Sequence, residues 1–521
     1  MTQLEADLLV IGGGATGAGV AWDACLRGYR TLLVDRSDLG DGTSGRFHGL
    51  LHSGGRYVVK DPRAATECIQ ENMILRRVAA ATIENTGGLF VSTPADDLSY
   101  GDEFLQGCID TGVPVAEVTT AEVLRREPRV NPAIRRAFEV PDAAIEAWKL
   151  LEALARGITE HGGQVLTYRE VTALHREGDA VTGATLRDTR TGEQIEVDAG
   201  FTINASGAWA GRISEMAGVE DVTIVPGRGI MIAMNHRLVN TVVNRCTMPA
   251  DGDILVPIRT VSVIGTTDVP ADHPDDPTVA QDEVDQMLAA GEQLVPGLRN
   301  ARALRVWAGV RPLFRDMRAQ GGNRDITRAH TLLDHRDRDG LERFITITSG
   351  KFTTFRLMAE EAVDAMCRHL GDSRPCRTRE EVLPGSERGE YYTLRARLHA
   401  READTTGDPL VCECEMIPRS RLEQAMRDKA TVNLDDIRRA LRLGMGPCQG
   451  GFCTFRAAGI LHEVGHLDGA TADQALLGFL QERWKGSWPI LHGDQLRQAR
   501  LDDWIYHGLL DVEHLPDWSA T

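Results

Sequence analysis

Leu8-Leu9-Val10-Ile11-Gly12-Gly13-Gly14-Ala15-Thr16-Gly17 is the stretch on which the fold turns. Four apolar residues make a short buried strand, the glycines a tight turn, and the residues from Ala15 to about Arg27 suit a helix. A dinucleotide-binding fold needs that order, because bare backbone at a helix N-terminus can approach a pyrophosphate. Thr31-Leu32-Leu33-Val34-Asp35 reads as a second strand, ending in an acid 18 residues past Gly17 that is placed to accept from an adenosine ribose hydroxyl. A glycine motif alone is weak, and a glycine-rich turn in another α/β unit is its rival. Two strands and an acid in register point to a Rossmann-like α/β domain.

A second constellation lies far downstream. Cys412-x-Cys414 and Cys448-x4-Cys453 gather four of the ten cysteines, and Gly444-Met445-Gly446-Pro447-Cys448-Gln449-Gly450-Gly451 supplies tight turns that let thiolates converge. The spacing predicts a 2Fe-2S cluster. Zinc is the alternative, disfavoured because structural zinc knuckles usually come as paired C-x2-C units, and unmetallated thiols or redox disulfides rank behind it. Cysteines 25, 68, 108, 246, 367 and 376 lack ligand spacing and read as small buried side chains.

Composition narrows the partners. With 521 residues the chain needs more than one core, and 42% apolar with 26% charged residues is ordinary for a globular protein. A formal charge of −18 disfavours nucleic acid and direct adsorption to an anionic membrane. No secretory signal opens the chain and no apolar run reaches the length of a membrane span, so a cytoplasmic location is expected.

Nicotinamide or flavin is the next choice. The polar, glycine-rich segment Asp41-Gly42-Thr43-Ser44-Gly45-Arg46-Phe47-His48-Gly49-Leu50-Leu51-His52-Ser53-Gly54-Gly55-Arg56-Tyr57 is too rich in reactive side chains for a connector, and flavoproteins run such segments beside the ring. Phe201-Thr202-Ile203-Asn204-Ala205-Ser206-Gly207-Ala208-Trp209 and Phe344-Ile345-Thr346-Ile347-Thr348-Ser349-Gly350-Lys351 read as strands ending in small-residue turns that could bring amides to the same cofactor.

At Leu51-His52-Ser53-Gly54-Gly55-Arg56-Tyr57, Ile264-Gly265-Thr266-Thr267-Asp268, Gly309-Val310-Arg311-Pro312-Leu313, Ile326-Thr327-Arg328 and Ser349-Gly350-Lys351-Phe352-Thr353-Thr354-Phe355-Arg356 the chain resembles the glycerol-3-phosphate dehydrogenases of the FAD-dependent D-amino-acid-oxidase-like superfamily. The four cysteines and Glu482-Arg483-Trp484-Lys485-Gly486 narrow the resemblance to the large catalytic subunits of the anaerobic, respiratory type, over nearly the whole chain. Ser349 stands where that family often has glycine, and Phe352 and Phe355 replace leucine and tyrosine.

The resemblance implies FAD, a BFD-like 2Fe-2S domain, and oxidation of glycerol 3-phosphate by hydride transfer to flavin N5. It places His52, Arg311 and Lys351 as catalytic, and Arg56, Tyr57, Arg328 and Thr354 as substrate-binding. Arg56 and Arg328 go mainly to phosphate, Arg311 to the reacting hydroxyl and Lys351 to the N5 side, while His52 is the leading base with His48 able to exchange roles. Lys351 stands out because lysine occurs only five times. FAD contacts are expected from Gly12, Gly14, Ala15, Thr16, Gly17, Asp35, Arg36, Thr43, Ser44, His48, Gly49, Leu51, Val171, Ala205, Ser206, Gly207, Trp209, Gly350, Lys351, Phe352 and Thr353, and cluster ligands at Cys412, Cys414, Cys448 and Cys453. The implied partners are a flavin-containing subunit, together with a membrane-associated iron–sulfur subunit leading to quinone, which would hold the chain at the inner face of the membrane. A flavin-dependent amine, amino-acid or α-hydroxy-acid dehydrogenase is the competing enzyme.

The expected organisation is an oxidoreductase over residues 1–385, with a substrate-binding α+β sheet interleaved mainly at about 80–150 and 220–330. A charged helical linker at 386–409 leads to the four-cysteine domain at 410–465 and a tryptophan-rich helical tail at 466–521. Leu476, Leu477, Leu480 and Trp484 fall on one helical face, expected to pack on the cysteine module, with a docking surface for an electron-accepting subunit as the alternative. Asp272-His273-Pro274-Asp275-Asp276-Pro277 reads as a surface loop without chemistry, capping a helix that starts near Ala280.

Overall fold

The structure, a computed structural model, describes residues 2–275, 278–315, 329–429, 433–464 and 468–515. Thr2–Ile11 lies inside an eight-stranded sheet, parallel to Thr31–Val34 on one side and to Gln194–Asn204 on the other. The register sets Ile11 beside both Val34 and Asn204, so the strands end level and their following turns share one edge. Leu8, Leu9 and Val10 are fully buried, as an apolar run in a parallel sheet covered on both faces should be. Helices Ala15–Leu26, Ala147–Glu160 and Phe355–Leu370 cover one face, and the hairpin of Arg169–Glu177 and Ala180–Asp188 packs with Ala210–Met216 into the core on the other.

Gln194–Asn204 is shared. Its first half pairs antiparallel with Ala180–Asp188 and its second half parallel with Phe344–Ser349, which brings the turns after Asn204 and Ser349 together. A second, nine-stranded sheet takes its strands from residues 88–140 and 223–315, with the long strands Thr223–Met234 and Ala303–Arg315 paired along their length. Helix Gln281–Leu294 buries Val284, Met287, Leu288 and Leu294 against it. These two sheets make the expected α/β architecture, a Rossmann-like unit with an interleaved α+β sheet.

The C-terminal module is mainly helical, with Leu422, Met426, Leu434, Ile437, Leu461, Leu476 and Phe479 in one core. Its helix Gly469–Ser487 buries Ala472, Ala475, Leu476, Phe479 and Arg483, a stripe with helical spacing. Trp484 is not on that stripe and is 54% exposed, which corrects the expected face. No helix among the described residues is long and apolar enough to cross a membrane.

Candidate active site

A cavity of about 1710 Å³ runs between the two sheets and on to the C-terminal module. At one end is the glycine turn. Gly12 has φ +112°, and a Cβ there would meet the Ala205 carbonyl oxygen at 2.6 Å, while a Cβ on Gly17 would come within 1.8 Å of the Gly12 carbonyl oxygen. Helix Ala15–Leu26 has no capping side chain on Gly14 and no acid in its first turn; the Ala15 N–H donates instead to Ser44 Oγ at 2.9 Å. That leaves a positive helix end facing the cavity, as a pyrophosphate requires. Asp35 accepts from the Gly13 N–H at 2.6 Å and the Ser37 N–H at 2.8 Å, and its depth in the protein pushes its carboxyl up to about 6. Arg36 lies over the Trp209 ring at 4.4 Å, and both reach Asp275, Arg36 at 2.6 Å and the Trp209 indole N–H at 3.1 Å. Asp275 therefore lines the cavity, while Asp272 and His273 are exposed as a surface loop should be; Asp276 and Pro277 lie outside the described residues.

At the other end three cations meet. Arg56 is gripped by the buried Asp253 and donates to the Ala250 carbonyl at 3.2 Å. Arg311 donates to Asp268 at 3.0 Å, Thr266 Oγ1 at 2.9 Å and the Thr267 carbonyl at 3.0 Å. Lys351 Nζ lies 4.6 Å from the centre of the Tyr57 ring. His52 packs against Tyr57 and His48, with ring centres 5.5 and 5.8 Å away, and its backbone N–H donates to Thr353 Oγ1 at 3.0 Å. His48 is different in kind. Burial, then the charges of Arg56 and Arg311, push its ring down to about 3, and its Nδ1 accepts the Leu50 N–H at 3.2 Å. A neutral ring with Nδ1 occupied carries its proton on Nε2, so His48 donates rather than serving as a base.

Of the expected FAD contacts, all but Gly17, Leu51 and Thr353 line the cavity. Gly17 lies under the turn, Leu51 in the core, and Thr353 beneath His52. Among the residues expected to be catalytic or substrate-binding, His52, Arg56, Tyr57, Arg311 and Lys351 line it. Thr354 does not: its hydroxyl donates to the Lys351 carbonyl at 3.1 Å and accepts the Lys351 N–H at 3.3 Å, which holds the Lys351 turn. Arg328 lies outside the described residues. Sequence reasoning missed Asp253, Asp268 and Ser349, whose role is to brace other site residues, and Arg439, Met445 and Gln449, which bring the C-terminal module into the cavity wall. Asp268 ends the run from Ile264, and Ser349 opens the run to Arg356, that carry part of the resemblance, and Met445 and Gln449 stand in the glycine-rich turn around Cys448; Asp253 and Arg439 carried no local signal.

The four cysteines expected as cluster ligands also come together. Cys412 stands against Cys453, and Cys414 against Cys448. Cys414 beside it, with the backbone N–H groups of Gly450, Phe452 and Gly451, holds the Cys448 thiol below the usual thiol range. Among the described residues no three of these sulfurs lie mutually within 4.8 Å, whereas one tetrahedral zinc would need all four about 3.8 Å apart. Two pairs ringed by N–H donors suit a binuclear cluster better than a single ion. The residues at the glycine turn likewise fit FAD: a cradle that any Cβ would fill, an uncapped helix end and a buried acid.

Residues 7–364 match the FAD dependent oxidoreductase family, and residues 410–463 the BFD-like [2Fe-2S] binding domain. The chain is 43% identical to the A-subunit of the anaerobic glycerol-3-phosphate dehydrogenase of Escherichia coli (strain K12), over 98% of this chain and 97% of that one. It is 41% identical to the A1-subunit of the same enzyme from Haloferax volcanii, over 98% and 91%. The crystal structure of glycerol-3-phosphate dehydrogenase from Bacillus halodurans complexed with FAD superposes with a TM-score of 0.59 at 21% identity, covering 98% of this chain and 88% of that one, and shares its fold. The cofactors are FAD and a 2Fe-2S cluster. The chain belongs to the FAD dependent oxidoreductase family, in the group of anaerobic glycerol-3-phosphate dehydrogenase A-subunits with their C-terminal BFD-like domain.

Proposed function

We propose that this chain oxidises sn-glycerol 3-phosphate at C2 to dihydroxyacetone phosphate and passes the electrons out through its 2Fe-2S cluster. The observation that carries this reading is the meeting of Arg56, Arg311 and Lys351, from three separate stretches of the chain, in the wall of the cavity on which the glycine turn opens. The name of the full-length relatives agrees with it. When bound, FAD supplies a hydride acceptor at N5. The chain must bind, orient and deprotonate. Arg311, braced on three sides, is assigned to the C2 oxygen, where a fixed cation favours the developing alkoxide without reorganising. His52 is assigned the proton, since His48 is held neutral with Nδ1 occupied. Arg56 and Arg328 are assigned to the phosphate, with part of the Arg56 fork already committed to Asp253. Lys351 is assigned to the N5 side, and Thr354 to positioning it.

That the relatives are named as one subunit among others implies an assembly. We assign the chain a flavin-containing partner and a membrane-associated iron–sulfur partner leading to quinone, at the inner face of the cell membrane. The domain limits follow the same reading: 1–385, linker 386–409, cluster domain 410–465 and tail 466–521. Adding glycerol 3-phosphate without oxygen to protein replete in FAD and iron tests the core of it. Bleaching of the flavin band followed by reduction of the cluster bands is expected; no bleaching by glycerol 3-phosphate, with bleaching by an amino acid or α-hydroxy acid, would reassign the substrate.

A further inference from the structure

The segment that follows the second strand holds the glycine turn from outside. The Gly40 N–H donates to the Gly13 carbonyl at 3.0 Å, and Ser44 Oγ accepts the Ala15 N–H at 2.9 Å. Two residues before Gly40, the buried Asp38 carboxylate accepts from Arg439 Nε at 3.0 Å. Arg439 belongs to the cluster module, on helix Leu434–Leu441, and it also donates to Asp436 of that helix at 2.5 Å. Asp436 in turn accepts the Tyr168 hydroxyl at 2.5 Å, and the Tyr168 N–H donates to the Ser37 carbonyl at 3.0 Å. Next in the chain, the Arg169 N–H donates to the Asp35 carbonyl at 2.6 Å. One helix of the cluster module thus holds Asp38 directly and, through the Tyr168 hydroxyl, the turn whose backbone N–H groups hold Ser37 and Asp35, so it braces the segment that carries the Asp35 carboxylate under the glycine turn. Arg442, one residue past the helix, is buried between Glu146 of the oxidoreductase body and Glu415, the neighbour of Cys414.

We propose that the cluster module is a working part of the FAD site: Arg439, acting through Asp38 and Asp436, is a positioning residue that holds residues 35–45 against the glycine turn and retains the cofactor. This rests on FAD occupying the cavity as described above. Charge-assisted hydrogen bonds between buried groups are the strong ones, and here three of them in series link a helix that neighbours the cluster to the nucleotide loop. A module tethered only for electron transfer would need no such grip.

The test is the rate at which FAD leaves the full-length, cluster-loaded protein, followed by the fluorescence of freed flavin. Arg439→Gln is expected to release FAD about tenfold faster than the parent, the size of one charge-assisted hydrogen bond, and Tyr168→Phe by about threefold. Iron, labile sulfide and the visible cluster bands, all unchanged in the variants, show that the effect is not loss of the cluster. In a double-mutant cycle Asp38→Asn with Arg439→Gln should release FAD no faster than Arg439→Gln alone. Release within twofold of the parent for Tyr168→Phe and for any folded Arg439→Gln protein overturns the proposal; if Arg439→Gln fails to fold, Tyr168→Phe, which strips a single hydroxyl, decides it. Parent protein that binds no FAD would overturn the cofactor assignment instead, and the two failures are distinguishable.

Discussion

Ser349 holds a position that glycine would occupy at no steric cost: φ is +63°, in the left-handed region. Its hydroxyl explains it, for Oγ donates to the Pro312 carbonyl at 2.7 Å and accepts the buried Phe314 N–H at 2.9 Å. The strand that carries Arg311 is thereby stitched to the turn that carries Lys351. Left-handed strain of about 1 kcal/mol is offset by two hydrogen bonds of about 1 kcal/mol each. Denaturant unfolding should then rank the parent first, Ser349→Gly about 1 kcal/mol lower and Ser349→Ala about 2 kcal/mol lower; Ala above Gly would deny the strain. Asp35 gives a pH prediction. Without nucleotide its folded pKa, about 6, lies above the unfolded value, so its contribution to stability is present at low pH and lost as pH rises through about 6. A ribose hydroxyl donating to the carboxylate favours the charged form. FAD affinity, read from fluorescence quenching, is therefore expected to rise between about pH 5 and 7, and Asp35→Asn should flatten that rise.

Elements register at the glycine turn most sharply. A methyl on Gly17 would lie 1.8 Å from the Gly12 carbonyl oxygen, so the helix must retreat from the strand or the turn must open. Gly17→Ala is expected to lower FAD affinity by about 3 kcal/mol, on the order of 100-fold, in a titration of FAD-free protein. Gly459, exposed on helix Cys453–Glu463 with nothing within 4 Å of an added Cβ, is the contrast: Gly459→Ala should stabilise its module by roughly 0.5–1 kcal/mol. The difference also shows what can be read in a sequence. The strand, turn and second strand of residues 8–35 were legible because the interactions that define them are local in the chain, and the cysteine spacing was legible for the same reason. What braces the site was not. Asp253 reaches Arg56 across 197 residues and Asp38 reaches Arg439 across 401, and no periodicity or spacing joins such pairs. The runs Gly229–Met234 and Ser262–Gly265 could be seen as strands, but their shared sheet with residues 88–92 and 136–140 depends on pairings made only in three dimensions. The Trp484 face failed because helical spacing alone does not say which of two adjoining stripes meets a neighbour.

At the scale of the whole molecule, one cavity wall is shared by two modules with separate chemistry, and a single substitution can ask whether their duties separate. Cys448 is assigned as a cluster ligand; its sulfur faces Cys414 and three backbone N–H groups, and it lies at no wall of the substrate end. In Cys448→Ser the cluster should be lost while Arg311, Lys351 and His52 keep the supports described above, which come from the oxidoreductase body. Stopped-flow bleaching of the flavin by glycerol 3-phosphate is then expected to stay within about threefold of the parent, as is turnover with a dye that takes electrons at the flavin, because no charge-assisted contact near the substrate is removed. Delivery to the proposed partner subunits should fall by more than about tenfold, because the electron exit is gone. If bleaching and delivery fall together, the module's grip through Arg439 and Arg442 has loosened the FAD site, and excess FAD should restore the bleaching but not the delivery. Bleaching lost beyond rescue by FAD would mean that the cluster holds up the oxidoreductase body itself.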